Sequence, residues 1–262
     1  MTPPETTPGP AAPGSPPPLK FINHLIEEYA MQVTYNPAED TGRIIYNLSL
    51  IQNNDIEYAI TIFRRAYRAG LAVSDRVKFL ESGETINGFR IPDGCTGVCT
   101  MCTITLDGLL LKRGIPSNPI GGGVIEVVER IPRRFIQFIL YTNTTIDPLE
   151  VLISQEITSI SHMIKEGSGM ILGNLRECHM ESETLVGEII DDLAGRKFTG
   201  ILDIGVPNVS LLGVPISPQY FGIAMVGGTN PMAALKEGGR SVVTKALKGL
   251  IDIETMGHIE DF

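Results

Sequence analysis

Three of the four cysteines stand close together, at intervals that would let their thiolates hold an iron–sulfur cluster. Cys95, Cys99 and Cys102 are separated by three and two residues, and thiolates so spaced in a loop can bind three irons of a [4Fe–4S] cube. The surrounding run, residues 98–106, alternates like a strand, whose pleat would send Cys99 and Cys102 to opposite faces. The pattern therefore favours small buried thiols over a cluster.

An enzyme built on such a cluster is the alternative function. Radical S-adenosylmethionine enzymes use this cysteine spacing, but they usually have an aromatic residue where this chain has Met101. A structural zinc with Cys178 as the fourth ligand is less favoured, because its spacing matches no common zinc motif. The four histidines are scattered along the chain. The sequence therefore predicts neither a metal site nor catalytic residues.

Two glycine runs, Gly121–Gly123 and Gly227–Gly228, lack the patterns of nucleotide-binding loops and are predicted to be tight turns with positive φ. The segment Gly227–Pro231 lies between a predicted strand and a predicted helix, where free backbone N–H groups can hold a carboxylate. Residues 144–147 occupy the same kind of place, although Asp147 can use those donors itself. Both segments are candidate anion-binding turns.

Composition excludes several classes of function. The formal net charge of −9 and the pI of about 5.0 argue against direct binding to nucleic acid. The sequence has no apolar run long enough to cross a bilayer and no signal-peptide pattern. Four cysteines, three of them clustered, do not resemble a secreted disulfide framework. We therefore expect a cytoplasmic protein.

The elements that would position these residues occur twice. Residues 42–48 are echoed by residues 169–175, and residues 97–114 are echoed less closely by residues 222–238, in the same order and at nearly the same offset. This predicts a duplicated, two-lobed mixed α/β domain over residues 20–262, with approximate lobes 20–140 and 141–262, after a disordered proline-rich tail at 1–19. Clefts between lobes are where small ligands bind.

Local patterns predict the individual elements. Helices are predicted at residues 20–31, from an N-cap at Asp55 to Gly70, from Asp147 through a capping box with Glu150 to Gly167, and at 231–236. Strands are predicted at residues 44–51, 124–128, 170–176, 199–203 and 222–226. Residues 96–111 are predicted to form one or two strands with a turn at Asp107-Gly108.

Six runs, in this order, together resemble the regulatory domain of the NrpR family, archaeal repressors of nitrogen-assimilation genes: residues 42–50, 70–77, 102–108, 114–116, 144–150 and 224–231. The resemblance covers roughly residues 35–253. It implies a non-enzymatic α/β regulatory domain that forms a homodimer and senses 2-oxoglutarate. No cofactor beyond that effector is implied.

The chain departs from the family layout in two respects. Cys95 and Cys99 are not part of the family pattern and keep a redox or metal variation open. The winged helix-turn-helix that usually precedes the domain is replaced by the proline-rich tail, which agrees with the acidic charge. We therefore expect the protein to act through a DNA-binding relative or through transcription factors. A scaffold that binds no ligand is a second alternative.

A dicarboxylate needs a cation or a set of N–H donors at each end. Arg76, in the polar island that includes Ser74, is a candidate for one carboxylate, with a loop ion pair as its other interpretation. Cys102 and Thr103 match the family motif and would line the cleft. The other carboxylate would bind at one of the two candidate turns, through Thr144 and Thr145, or through Gly227, Gly228 and Asn230.

Overall fold

The computed structural model describes residues 19–195 and 198–262, so nearly all of the predicted proline-rich tail lies outside the described residues. Seven α-helices occur in the described ranges: α1 Ile22–Ala30, α2 Ile56–Arg68, α3 Thr105–Lys112, α4 Pro148–Ser154, α5 Ile160–Glu166, α6 Glu183–Ala194 and α7 Asn230–Glu237. Twelve strands accompany them: β1 Arg43–Gln52, β2 Arg76–Leu80, β3 Thr85–Ile86, β4 Phe89–Arg90, β5 Cys95–Met101, β6 Ser117–Val128, β7 Ile131–Leu140, β8 Gly169–His179, β9 Ile201–Ile204, β10 Tyr220–Val226, β11 Val242–Asp252 and β12 Gly257–His258. The mixed α/β class predicted from the sequence is confirmed.

Two antiparallel five-stranded sheets form the framework. Their strand orders are β11-β1-β5-β2-β12 and β7-β6-β8-β10-β9, and β3 and β4 make a separate hairpin. The central strands β1, β5, β8 and β10 are almost entirely buried, which explains why they appear in the sequence as apolar runs rather than as clean alternations.

The two sheets contain the same units, as the echo in the sequence predicts. Ser49 on β1 pairs with Val98 on β5, and Arg176 on β8 pairs with Ile223 on β10, so the registers match at the offset of the echo. The orders β11-β1-β5-β2 and β6-β8-β10-β9 are therefore equivalent. We call the unit from β1 to α3 the first half and the unit from β8 to α7 the second half.

Each half is followed by a strand that joins the sheet of the other. Strand β6, which follows the first half, pairs with β8, and β11, which follows the second half, pairs with β1. Strands β6 and β7 thus precede residue 141 in sequence but belong to the second sheet. The two sheets are interlocked by this exchange.

Helices fasten the halves together. Helix α7 of the second half packs on α2 of the first half and on α5, and α1 packs on α3. Gly108 permits the close approach of α1 and α3, because a Cβ at this position would lie 2.5 Å from the Val33 side chain and 2.8 Å from the Ala30 carbonyl oxygen. The predicted helix at 20–31 is therefore part of the packed molecule.

Several local predictions were wrong. Residues 96–111 divide into β5 and helix α3, with Asp107 and Gly108 inside the helix, because nearly every residue of this segment is buried and no polar face marks the helix. Gly121–Gly123 lie within β6, and neither they nor Gly227–Gly228 have positive φ. A Cβ on Gly121 would lie 2.8 Å from the Phe138 ring, so packing against β7 accounts for that glycine.

Two predicted caps differ in detail. Asp147 caps α4 by accepting from Leu149 N at 2.8 Å, as predicted, but Glu150 accepts from Ala246 N at 2.7 Å instead of completing a capping box. The predicted single helix is interrupted: α4 ends at Ser154 and α5 begins at Ile160. Gly167, in the left-handed region at φ 72°, ends α5. Asp55 precedes α2 without a side-chain cap; its carboxylate lies 3.1 Å from Arg240 Nη1 instead.

Candidate functional site

The segments that follow β5 and β10 meet where the two halves touch. Thr100 Oγ1 donates to the Gly228 carbonyl oxygen at 3.1 Å, and a Cβ on Gly228 would lie only 2.3 Å from the Met101 carbonyl oxygen. Glycine at position 228 therefore allows the two backbones to approach. We call the region formed by residues 101–107, 172–176 and 226–230 the junction.

Equivalent side chains hold each segment to the adjacent central strand. Thr105 Oγ1 accepts from Ile45 N at 3.1 Å, and Asn230 Oδ1 accepts from Leu172 N at 2.8 Å. Asn230 also donates to the Leu172 carbonyl oxygen at 3.0 Å. Asn230 thus fixes the first turn of α7 to β8, which uses its side-chain groups within the protein.

A buried ion pair lies in the junction. Arg176 Nε is 3.2 Å from Asp107 Oδ1, and the two side chains are 1% and 2% exposed. Arg176 Nη2 donates to Asn174 Oδ1 at 2.8 Å, and Ser117 donates to Asp107 Oδ1 at 2.7 Å. Burial raises the pKa of Asp107, and the Arg176 charge opposes that rise. Asp107 Oδ2 has no hydrogen-bond partner among the described residues.

The duplication does not repeat this pair. The strand registers place Ser49 at the position equivalent to Arg176, and the helix offset places Met232 at the position equivalent to Asp107. The duplicated fold therefore does not require a charge at these positions. The sequence analysis missed both residues, although an arginine within an otherwise apolar predicted strand is a signal that could have identified Arg176.

The structure brings five of the predicted ligand residues together at the junction, namely Cys102, Thr103, Gly227, Gly228 and Asn230. Thr103 Oγ1 accepts from Asn174 Nδ2, at 2.5 Å, and Gly227 N donates to the Leu172 carbonyl oxygen at 2.6 Å. These groups are buried and engaged within the protein. Their role in binding an effector stays a prediction.

The other four predicted residues lie outside the junction as defined by its three segments. Arg76, on β2 beside β5, is 16% exposed; it contacts Asp40 and donates to the Met256 carbonyl oxygen at 2.7 Å. A loop ion pair, the other interpretation of Arg76, is therefore present. Ser74 Oγ accepts from Arg76 N at 3.1 Å. Thr144 packs beside the first residue of α1, and its carbonyl oxygen accepts from Ile22 N at 2.9 Å. Thr145 is exposed.

The cysteines have the environment of packed core residues. Cys99, Cys102 and Cys178 are buried, and Cys95 is partly exposed. Desolvation raises the pKa of each buried thiol to about 12, which disfavours the thiolate that a metal or a redox reaction needs. The iron–sulfur alternative receives no support from these environments.

Comparison with known proteins identifies the class as transcriptional regulators of nitrogen metabolism. The family model described as "NrpR regulatory domains NRD1 and 2" matches residues 19–258. The chain belongs to this NrpR family, which is regulatory rather than enzymatic. No helix in the described part of the chain is long and apolar enough to cross a membrane.

Three relatives and one solved structure are similar. The global nitrogen regulator NrpRI of Methanosarcina mazei is 34% identical over 91% of this chain and 73% of its own length. NrpR proteins of Methanococcus maripaludis and Methanocaldococcus jannaschii are each 30% identical, but the chain spans only 38% and 36% of their lengths. The crystal structure of a nitrogen repressor-like protein from Methanococcus jannaschii superimposes with a TM-score of 0.78 at 27% identity, covering 92% of this chain and all of that one.

Proposed function

We propose that this protein is a ligand-sensing regulator of nitrogen-assimilation genes that binds 2-oxoglutarate and acts through a DNA-binding partner. The observation that carries the proposal is the match of the regulatory-domain family to residues 19–258. The resemblance implies the effector and a homodimeric or hetero-oligomeric assembly with a DNA-binding relative. A net charge of −9 supports action through that partner, since DNA repels an acidic surface.

The interlocked fold supports a sensing role. A ligand changes a protein only when it binds one of two arrangements better than the other. Here α2 of the first half packs on α7 of the second, and the strand exchange couples the sheets. A change at one helix contact would therefore be transmitted to both halves, which a regulator needs in order to report a bound metabolite to a partner.

Binding of 2-oxoglutarate is tested by isothermal titration calorimetry and by thermal unfolding, with glutamate, glutamine and S-adenosylmethionine as comparison compounds. A ligand at one hundred times its dissociation constant adds about 2.7 kcal/mol to the free energy of unfolding, so the melting temperature should rise visibly. We expect the rise with 2-oxoglutarate alone. A rise with S-adenosylmethionine instead would favour the enzyme alternative. No response to any compound would favour a scaffold.

Action through a partner is tested separately. A labelled nitrogen-assimilation promoter is titrated with this protein, with a DNA-binding NrpR relative, and with both. We expect a shift only where the relative is present, and a further shift of that complex when this protein is added. The further shift should change with 2-oxoglutarate. A shift by this protein alone would contradict the proposal.

A further inference from the structure

A cavity with a volume of about 620 Å³ lies at the C-terminal end of α7. The α4–α5 connection and the first residues before β11 form its other walls. Two cations, Lys236 and Arg240, line it together with the hydroxyl-bearing residues Thr158 and Ser241. The cavity therefore offers two positive groups and, at Ser241, a hydroxyl that can donate a hydrogen bond.

The two cations differ in how firmly they are held. Lys236 Nζ lies 3.4 Å from the Ser154 carbonyl oxygen and 3.6 Å from Glu156 Oε1, longer than the roughly 2.7–2.9 Å of a strong charge-assisted hydrogen bond. Arg240 Nη1 lies 3.1 Å from Asp55, and the Arg240 side chain is 47% exposed. A guanidinium carries five N–H donors, so this ion pair leaves capacity for a further carboxylate.

Two acidic residues line the same cavity, and they differ in how firmly they are held. Glu237 accepts from Thr158 Oγ1 at 2.7 Å, Ile160 N at 2.6 Å and Ser161 N at 2.8 Å, so donors at the start of α5 satisfy its charge. Glu156 is 71% exposed, and its contact with Lys236 is loose. A competing anion can therefore displace Glu156 at little cost, since exposed ion pairs contribute only about 0–1 kcal/mol.

We infer that this cavity is the effector site and that it binds a small dicarboxylate between Lys236 and Arg240. The inference rests on the proposed function and names the site of that function. One carboxylate takes the place of Glu156 at Lys236. The other binds the remaining donors of Arg240, and the Ser241 hydroxyl, which lines the same cavity, can donate to the atoms between.

The position of Arg240 connects this site to the arrangement of the two halves. Its ion pair with Asp55 and its stacking over the Tyr58 ring, at 5.1 Å from the centroid, join the end of α7 to the start of α2. A second carboxylate on the remaining donors of Arg240 shares the guanidinium charge with Asp55. Binding therefore weakens one contact between the halves, which makes the affinity depend on how α2 and α7 are packed.

Three other cavities suit a dicarboxylate less well. A cavity of about 310 Å³ has mainly apolar walls and two acids, Asp107 and Glu27, which would repel a dianion. A cavity of about 460 Å³ contains Arg43 and Lys248, but it lies on the first sheet, apart from the α2–α7 contact. A cavity of about 340 Å³ contains Lys112 and Arg113 but also Asp192, and it lies between α3 and α6, apart from the α2–α7 contact. Its two cations therefore serve as a control.

The test is calorimetric titration of the whole chain with 2-oxoglutarate. Lys236→Ala and Arg240→Ala should each weaken binding by about tenfold or more, as expected for a lost hydrogen bond to a charged group. Glu156→Gln should tighten binding about threefold, because it removes a competing acid. Lys112→Ala and Arg113→Ala should leave the affinity unchanged. Melting temperatures of all variants in the absence of ligand report their folding.

The outcomes distinguish a failure of the proposed site from a failure of the proposed function. Wild-type protein that binds 2-oxoglutarate, with Lys236→Ala and Arg240→Ala binding equally well, would overturn the site and leave the proposed function standing. A loss confined to the Lys112 and Arg113 variants would do the same. Wild-type protein that does not bind 2-oxoglutarate would overturn both. If Arg240→Ala fails to fold, the tighter binding of Glu156→Gln still decides, because a purely structural role does not predict it.

Discussion

At the scale of single residues, the duplicated fold forms with or without an ion pair at the positions of Arg176 and Asp107. The positions that the duplication makes equivalent hold Ser49 and Met232, and the same kind of strand and helix form around them. Burying an ion pair costs desolvation that its mutual attraction often only balances. Removing one partner is therefore expected to be far worse than removing both.

Asp107→Ala should lower the free energy of unfolding by about 3–5 kcal/mol, because it leaves the Arg176 charge buried without a partner. Urea unfolding measures the change. The double variant Asp107→Met, Arg176→Met should recover part of the loss, since it replaces the charges by an apolar pair. Asp93→Ala, which removes the exposed partner of Arg90, is the control and should change stability by less than about 0.5 kcal/mol. An equal effect of Asp107→Ala and Asp93→Ala would contradict this prediction.

The carboxyl of Asp147 should make stability depend on pH. Burial raises the pKa of Asp147 from 3.8 to about 7, despite the hydrogen bond that it accepts from Leu149 N. A group whose pKa is raised by folding holds its proton more tightly in the native state. The stability that this contributes is present in full below about pH 4 and is lost as the pH rises to about 7.

Asp147→Asn should therefore flatten the pH dependence, because the amide keeps the cap on α4 but does not titrate. Urea midpoints at about pH 5 and about pH 7.5 measure the effect, and the fall between them should be smaller in the variant. Some fall should remain, since burial also raises the pKa of Asp107 and Glu150. An unchanged fall would show that Asp147 is ionised across this range.

At the scale of elements, the glycines of β6 are explained by packing. A Cβ on Gly121 would lie 2.3 Å from the Ile139 carbonyl oxygen, and one on Gly123 would lie 2.2 Å from that of Gln137. Both contacts are with the neighbouring strand β7. The sequence analysis interpreted these glycines as a turn because a glycine run has the same local signature in either role, and only the partner strand distinguishes them.

Gly121→Ala should destabilise the protein by about 1–3 kcal/mol, because backbone must move to admit the methyl group. Gly187→Ala is the matched control. Gly187 lies in α6 with open space at its Cβ position, so alanine there should raise stability by about 0.5–1 kcal/mol. Thermal and urea unfolding of both variants measure the difference. Equal effects at the two sites would refute the packing explanation.

At the scale of the whole molecule, the strand exchange makes the halves interdependent. Strand β1 needs β11, which begins 190 residues after β1 ends, and β8 needs β6 from the other unit. We expect a single calorimetric unfolding transition, with calorimetric and van't Hoff enthalpies that agree. Fragments 19–140 and 141–262, expressed alone, should lack cooperative unfolding. Two separate transitions in the whole chain would contradict the interlocked arrangement.

The sequence by itself determined two things: the elements whose signals are local, and the family to which the chain belongs. The apolar run of β1, the Asp147-Pro148 start of α4, the stop at Gly167 and the echo at residues 169–175 all depend on neighbours within a few residues or on direct repetition. The family resemblance likewise rests on runs of contiguous residues. These features need no knowledge of distant partners.

Only the tertiary structure decided the features that join distant segments. Residues Thr105–Leu110 of helix α3 are all buried, so they carry no polar face to reveal a helix. The exchange of β6 and β11, the approach of Gly228 to Met101 and the pairing of Arg176 with Asp107 each join residues at least 42 positions apart, the separation of Val127 and Gly169. Local patterns record conformational propensity and burial, whereas the choice of a partner depends on which surfaces meet after the chain has folded.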